Sequence, residues 1–164
     1  MNSQPHGPRI VFVTGGNRGI GLSIARAFAS SGDLVIVSYR SGGVPDGLVG
    51  VQMDVTDQES VSAAFAEIES KYGSVDVLIA NAGITRDGLA LRMSEEDFTA
   101  VVETNLTGTF RTVQKAIAPM MKKRSGRVIF IGSVVGLLGS AGQVNYAATK
   151  SGLVGMARAL ARAT

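Results

Sequence analysis

What this sequence lacks narrows its chemistry before any motif is considered. None of its 164 residues is cysteine, which excludes disulfide bonds and thiolate metal sites. Its single histidine, His6, lies in an N-terminal segment rich in proline and glycine, so a histidine metal site is not indicated either. We therefore expect no metal chemistry.

Long apolar runs are also missing. The longest ones have the length of a strand, and no basic segment followed by a long apolar core opens the chain. Neither export nor membrane insertion is supported, and we predict a cytoplasmic protein. The net charge is only +3, and basic residues cluster tightly only at Lys122–Arg124 with Arg127, so nucleic acid is not an expected partner.

The hydrophobic content of 45% suits one globular domain that buries roughly two thirds of its surface. We predict a flexible N-terminal tail over residues 1–8 and one domain over residues 9–164. Strand-length apolar segments alternate with helical patterns, which is typical of a parallel sheet with helices on both faces. The predicted strands are Ile10–Val13, Leu34–Ser38, Val49–Met53, Val75–Ala80 and Arg127–Gly132.

The links between these strands carry their own signals. The sequence T-D-Q-E at Thr56–Glu59 predicts a capping box for a helix that ends near Gly73. A second helix is predicted from about Ser94 to Met120, with Pro119 marking its end. The turn-rich segment from Arg40 to Leu48 is too short for the usual crossover helix, which we expect to be missing.

A glycine-rich turn, T-G-G-N-R-G-I-G, follows the first predicted strand and precedes a helical pattern. Its glycines are Gly15, Gly19 and Gly21, which is not the strict G-x-G-x-x-G spacing. Glycines of this kind also occur in turns without a ligand, because they permit positive φ. The order of strand, turn and helix nevertheless favours a site where backbone N–H groups and a helix N-terminus bind a pyrophosphate.

Near the C-terminus, Tyr146 and Lys150 stand one helical turn apart, and Ser133 ends an apolar strand upstream. On one helix face the ammonium favours the phenolate form of the tyrosine, which suits a proton donor. Such a pair can also be a chance neighbour pair on an exposed surface. The position of Ser133 at a strand end, where α/β sheets place their chemistry, favours a catalytic role.

Four motifs occur in the order found in short-chain dehydrogenase/reductases, and the chain resembles that family. They are T-G-G-N-R-G-I-G, N-A-G from Asn81, E-T-N-L-T-G around Asn105, and Ser133 followed by Y-A-A-T-K. The longer segments N-A-G-I-T-R-D-G-L-A-L-R-M, M-K-K-R-S-G-R-V and I-G-S-V-V-G resemble bacterial 3-oxoacyl-[acyl-carrier-protein] reductases in particular. The resemblance covers Arg9 to Arg162. It implies a Rossmann-type doubly wound parallel sheet and reduction of 3-oxoacyl thioesters to 3-hydroxyacyl thioesters in fatty acid synthesis.

The resemblance also implies catalytic roles. Hydride passes from the nicotinamide to the 3-keto carbon, Ser133 hydrogen-bonds the developing alkoxide, and Tyr146 donates the proton. Lys150 assists Tyr146 and holds the nicotinamide ribose, and Asn105 holds a water that resupplies the proton through Lys150. For Asn105 a second interpretation is open, in which its amide only satisfies backbone groups inside a long helix.

A further set of residues is implied to bind the cofactor. Asp54 and Val55 would contact the adenine, although Asp54 can equally cap a turn. The segment Asn81–Gly83 would line the ribose, and its alternative is a tight turn that needs glycine. The full set is Gly15, Asn17, Arg18, Gly19, Ile20, Gly21, Arg40, Asp54, Val55, Asn81, Ala82, Gly83, Tyr146 and Lys150.

The second predicted strand indicates which dinucleotide binds. NAD-binding Rossmann folds typically carry an acidic residue there for the ribose 2′-hydroxyl, whereas this chain has Ser38, Tyr39 and Arg40. Arg40, assisted by Arg18, would pair with a 2′-phosphate. Either arginine can instead be merely solvated, but their two positions favour NADP(H).

The resemblance implies partners as well. Lys122, Lys123 and Arg124 would steer an acidic acyl carrier protein from a position near the site, unless this run is only a solvated face. The loop Val134–Gly142 would line the acyl channel. A homo-oligomer is expected, a tetramer at full length.

The family's chain continues beyond the Tyr146/Lys150 helix into further strands and a substrate lid, and this sequence stops at Thr164. We expect the C-terminal part of the fold to be missing and the 164-residue chain alone to be inactive. Two other functions stay open: a non-catalytic dinucleotide-binding remnant, and a reductase of a sugar, steroid or quinone carbonyl.

Overall fold

The computed structural model describes residues 7–163, and its centre is a parallel sheet of five strands in the order β3-β2-β1-β4-β5. Each neighbouring pair is parallel. The strands are β1 Ile10–Val13, β2 Leu34–Tyr39, β3 Val49–Gln52, β4 Val77–Ala80 and β5 Arg127–Phe130. This order confirms the predicted Rossmann-type fold. The predicted tail lies almost wholly outside the described residues.

The helices cover both faces of the sheet, because side chains of a strand alternate between its two sides. Phe12 of β1 belongs to a core shared with Val61 and Val113, whereas Val11 and Val13 pack on the other side with Ala25. All these side chains are buried. The helices are α1 Gly19–Ser30, α2 Gln58–Lys71, α3 Glu95–Val102, α4 Gly108–Lys123, α5 Val135–Leu138 and α6 Val144–Ala163.

From β1 the chain adds strands first on one side of the sheet, with β2 and β3, and then on the other side, with β4 and β5. The strand order therefore reverses beside β1. In open parallel sheets a crevice forms at such a switch point, outside the carboxyl ends of the strands. The glycine-rich turn follows β1, and the segment from Asn81 follows β4. The topology therefore brings these two motifs to one crevice.

The start of α2 corrects the predicted capping box. Asp57, not Thr56, is the N-cap, and its side chain accepts a hydrogen bond from the Glu59 N–H at 2.9 Å. Thr56 is used elsewhere, because its hydroxyl and its N–H both donate to Asp54 Oδ1, at 2.7 and 2.9 Å. The helix itself then runs to Lys71, close to the predicted end.

The predicted helix from Ser94 to Met120 is also corrected. Ser94 caps α3, but a π-helical segment, Glu103–Thr107, separates α3 from α4. Pro119 lies inside α4, which continues to Lys123 and ends where Arg124 adopts φ 53°. Although proline removes one helical hydrogen bond, Met120 beyond it is buried in the core, and this packing outweighs the local signal.

The strand boundaries differ from the predicted ones by up to two residues. The predicted lack of a crossover helix between β2 and β3 is confirmed. Between Arg40 and Leu48 the described chain contains turns and bends but no helix. Among residues 7–163, moreover, no helix has the length and apolarity that a membrane crossing requires.

Candidate active site

The glycine-rich turn leads directly from β1 into α1. Gly15 and Gly19 have φ of +62° and +56°, a conformation that side-chain-bearing residues rarely adopt. Arg18 is the N-cap of α1 and makes no side-chain capping bond. The N–H groups of the first helical turn are therefore open to an anion, as the fold predicts for a pyrophosphate site.

Gly21 is required for a different reason, which is space. A Cβ atom placed there would lie 2.5 Å from Asn81 Nδ2 and 2.6 Å from the Gly15 carbonyl oxygen. Asn81 Nδ2 donates to the carbonyls of Thr14 and Gly15, at 2.9 and 3.2 Å. The segment after β4 thus supports the glycine-rich turn directly, which gives Asn81 a structural role whether or not it contacts a ribose.

Two residues that the sequence reasoning missed complete this support. The Thr14 hydroxyl accepts hydrogen bonds from the backbone N–H groups of Asn81 and Ala82, at 3.0 and 2.9 Å. The Ser38 hydroxyl accepts the Gly15 N–H at 2.9 Å, and Ser38 is buried. Both are small hydroxyl residues at the end of an apolar strand, and this pattern is the sequence feature that could have identified them.

The predicted adenosine-binding residues lie around the ends of β2 and β3. Arg40 is exposed and forms no ion pair within residues 7–163. Asp54 caps a turn through Thr56, as its alternative interpretation required. Burial alone would raise the pKa of Asp54, but the Thr56 hydrogen bonds and the charge of Arg40 leave that pKa below its ordinary value. Arg40 and Asp54 are therefore electrostatic neighbours.

Other members of the set divide between surface and core. Arg18 and Ile20 are exposed at the start of α1, and Ile20 is 67% exposed. Val55 is buried, and its backbone and side chain face Gly108 so closely that no Cβ fits there. The Asn17 amide donates to the carbonyls of Ser41 and Gly43, both at 3.2 Å, which holds the turn against the β2–β3 connection.

Helix α6 carries Tyr146 and Lys150 on one face. Lys150 Nζ lies 5.5 Å from the centroid of the Tyr146 ring and donates to the Ile131 carbonyl at 2.7 Å. Lys150 is only 5% exposed, and this burial lowers the pKa of its ammonium group. The pair is therefore not a solvated surface pair, and the lysine also joins α6 to the chain that leaves β5.

Ser133 lies in the turn between β5 and α5, where its hydroxyl accepts the Val135 N–H at 3.2 Å. Helix α5, which directly follows this turn, packs against α6 beside Lys150, because Ser151 Oγ donates to the Gly136 carbonyl and a Cβ on Gly136 would lie 2.9 Å from the backbone of α6. The structure thus brings the predicted serine, tyrosine and lysine to one end of the sheet.

Asn105 lies in the π-helical segment and is 1% exposed. Its side chain accepts the Ile84 N–H at 2.8 Å and donates to the Ile84 carbonyl at 2.9 Å and to Thr149 Oγ1 at 3.4 Å. It therefore satisfies backbone groups, as its second interpretation stated, but these belong to Ile84 in the chain after β4 and not to the helix. Asn105 thereby joins the chain after β4 to α6 next to Lys150. Its handling of a water stays a prediction.

The basic run Lys122–Arg124 lies elsewhere. It ends α4, and Lys123 Nζ forms an ion pair with Asp76 Oδ1 at 2.8 Å. The other Asp76 oxygen accepts the N–H of Ile10, the first residue of β1. The run therefore lies at the amino ends of the strands, opposite the end that carries Ser133. Its predicted position near the site is wrong for a single chain, because α4 runs back along the sheet.

Metal ligation has no support in the part of the chain that the structure describes, since no three histidine, cysteine or acidic side chains there group as ligands. The candidate site offers a phenol, an ammonium, a hydroxyl and backbone N–H groups. This donor set, at the switch point of a doubly wound sheet, is typical of a dinucleotide-dependent enzyme.

Comparison with known proteins agrees with this class. The sequence profile described as "short chain dehydrogenase" matches residues 9–164, and the chain belongs to that family. It is 54% identical over 154 residues to the 3-oxoacyl-[acyl-carrier-protein] reductase MabA of Mycobacterium avium, covering 94% of this chain and 60% of that protein.

Two other relatives carry related names. MabA of Mycobacterium tuberculosis (strain ATCC 25618 / H37Rv) is 51% identical, with 96% of this chain and 64% of the relative covered. The 3-oxoacyl-[acyl-carrier-protein] reductase FabG of Escherichia coli (strain K12) is 43% identical, with 94% and 66% covered. The chain thus spans 60 to 66% of the length of these relatives. The predicted family is confirmed.

Proposed function

We propose that this protein reduces 3-oxoacyl thioesters, carried by an acyl carrier protein, to 3-hydroxyacyl thioesters with NADPH in fatty acid synthesis. The observation that supports the proposal most strongly is that the glycine-rich turn and the Tyr146/Lys150 pair lie at the same end of the sheet. Lys150, one turn from Tyr146, binds the carbonyl that follows β5, while Asn81 supports the glycine-rich turn after β1. The names of the relatives support the substrate class.

The residues present fit a dinucleotide. The first turn of α1 is open to a phosphate, and the absence of a side chain at Gly21 leaves the turn close to Asn81. Gly15, Gly19 and the start of α1 would hold the pyrophosphate, Arg40 and Arg18 the 2′-phosphate, and Asn81–Gly83 and Lys150 the nicotinamide ribose. Once bound, the nicotinamide supplies hydride to the 3-keto carbon.

The chain's own residues would then protonate and hydrogen-bond the ketone oxygen. The Tyr146 hydroxyl donates its proton to this oxygen, and the Ser133 hydroxyl donates a hydrogen bond to it as negative charge develops. The Lys150 ammonium lies against the Tyr146 ring and stabilises negative charge left on the phenol oxygen. Asn105, buried beside Thr149, would hold the water that resupplies the proton.

The assay that tests this function compares carbonyl substrates in the presence of NADPH. We expect acetoacetyl-acyl carrier protein to be reduced with kcat/KM at least about tenfold above that of acetoacetyl-CoA, because the carrier adds binding energy outside the reacting centre. Both thioesters should exceed a sugar, a steroid and a quinone. Faster reduction of one of those carbonyls would contradict the proposed substrate. Binding of NADPH without reduction of any ketone would favour the non-catalytic alternative.

NADP preference is the second part of the proposal, and Arg40 is the residue that tests it. Arg40→Ala should weaken NADPH binding by about one to two powers of ten and leave NADH binding unchanged, because a charge-assisted contact contributes about 1.5 to 3 kcal/mol. Fluorescence titration measures both affinities. Arg26→Ala is the matched control, because it also removes an exposed arginine, here one on α1. Equal weakening of both cofactors would assign Arg40 a structural role.

The carrier protein would contact basic residues, and Lys122, Lys123 and Arg124 stay our candidates. Since they lie at the opposite end of the sheet from Ser133, a carrier bound there could serve a site only across an oligomer. Homo-oligomerisation, with a tetramer as the expected state, is therefore part of this proposal. A cytoplasmic location likewise remains our prediction.

A further inference from the structure

Asn145 is a buried polar residue to which neither the sequence motifs nor the catalytic set assigns a role. It precedes Tyr146 in the first turn of α6 and is 0% exposed. A buried amide is unfavourable unless its donors and acceptor find partners. What Asn145 contacts therefore indicates what it is for.

Both ends of the Asn145 amide are used. Its Oδ1 accepts the backbone N–H of Tyr146 at 2.7 Å. Its Nδ2 donates to the Arg86 carbonyl at 2.8 Å and to the Asp97 carbonyl at 3.5 Å. One side chain thus joins the residue that carries the phenol to the segment after β4 and to the first turn of α3.

Joining α6 to the segment after β4 does not by itself explain Asn145, because two surface contacts already do that. The Gly88 N–H donates to the Gly142 carbonyl at 2.8 Å, and Gln143 Nε2 donates to Asp87 Oδ2 at 3.0 Å. The Gln143 carbonyl accepts the Ala147 N–H at 2.8 Å, which is the first hydrogen bond within α6, so the Tyr146 N–H one residue earlier has no carbonyl partner inside the helix. What Asn145 adds is a hydrogen bond to the backbone of Tyr146 itself.

We propose that Asn145 is a positioning residue that fixes Tyr146 for proton transfer, by holding the Tyr146 N–H against a frame made of the Arg86 and Asp97 carbonyls. The inference rests on the proposed function, because it gives Tyr146 a proton to transfer. A proton donor displaced by about 1 Å loses about 10²-fold in rate, so a rigid backbone at this residue has a direct effect on kcat.

The test is a double-mutant cycle between Asn145→Leu and Tyr146→Phe. Leucine has a similar volume but no polar atoms, so it removes the hydrogen bonds and leaves the space filled. We expect Asn145→Leu to lower kcat by about tenfold to 100-fold with KM for NADPH and thioester nearly unchanged, and to leave the residual rate of Tyr146→Phe unchanged. Equal loss in both backgrounds would overturn the proposal, because Asn145 would then act independently of the phenol.

Val113→Ala is the control for lost stability, since it shortens a buried core side chain of α4 in the cluster with Phe12. It should lower the denaturation midpoint without the kcat effect. If Asn145→Leu does not fold, Asn145→Ala enters the same cycle with the same expected outcome, because alanine is the best helix former.

A second measurement separates failure of this inference from failure of the proposed function. Amide hydrogen exchange followed by NMR should show the Tyr146 N–H exchanging at least about tenfold faster in Asn145→Leu, with the Phe12 N–H unchanged. If the wild-type protein reduces no ketone, the proposed function fails and this exchange result alone decides whether Asn145 fixes Tyr146. Unchanged exchange at Tyr146 would overturn the inference in either case.

Discussion

Tyr146→Phe is expected to lower ketone reduction by about 10²- to 10⁴-fold, the range that general acid catalysis contributes, while NADPH binding stays nearly unchanged. The substitution removes one oxygen and keeps the ring, so the contact between the ring and Lys150 Nζ is preserved. Only the proton is lost. Steady-state reduction of acetoacetyl thioesters, measured beside a fluorescence titration of the cofactor, tests both halves of this expectation.

Tyr72→Phe is the matched control, since it removes the same oxygen from an exposed tyrosine at the end of α2, away from the site. Its turnover should equal that of the wild type. Retention of more than about a tenth of wild-type turnover by Tyr146→Phe would remove Tyr146 from the acid role, because a general acid contributes more than that.

Lys150→Met is expected to lower kcat by about 10²-fold, because it removes a charge held beside the phenol in a buried site. Methionine fills a similar space, but the Ile131 carbonyl loses its 2.7 Å partner, so the join between α6 and the chain after β5 is also weakened. Lys115→Met, on α4, is the matched control and should keep the wild-type rate. A rate for Lys150→Met within about threefold of the wild type would contradict our assignment of the lysine.

The lowered pKa of Lys150 gives this variant a distinct pH signature. Burial places the folded-state pKa of Lys150 below its ordinary value of 10.5, so between the two values the unfolded chain binds a proton that the folded chain does not. Stability from this group therefore rises with pH across that window, is fully present above 10.5 and is lost as pH falls through the folded pKa. Urea unfolding of Lys150→Met should show no such rise, whereas Lys115→Met should keep it.

The sequence alone determined the class of fold. Short, apolar, β-branched segments separated by helical patterns can bury both faces only in a covered parallel sheet, and the observed sheet agrees. Motif spacing also located the candidate site: Tyr146 and Lys150 share a helix face because α-helical geometry puts residues one turn apart on one side. These are local consequences of periodicity, so they are readable from the chain.

The sequence did not show which of several neighbouring polar groups would cap a helix, or where core packing would override a stop signal. Thr56 and Asp57 both suit an N-cap, and Asp57 caps α2 only because Asp54 uses Thr56. In the same way Pro119 carries a strong stop signal, yet the burial of Met120 keeps α4 going. The first choice depends on which of several neighbouring polar groups form hydrogen bonds with each other, and the second depends on core packing. Single-residue propensity contains neither kind of information.

Tertiary structure alone decided which hydrogen bonds support the candidate site and at which end of the sheet the basic run lies. Asn145 and Ser38 carry no motif, and their roles come from carbonyl and N–H groups that other segments bring to them. The basic run at Lys122–Arg124 belongs to the opposite end of the sheet because α4 runs antiparallel to the strands. A sequence specifies which side chains exist and how they repeat, but the direction in which each element crosses the sheet determines which of them meet.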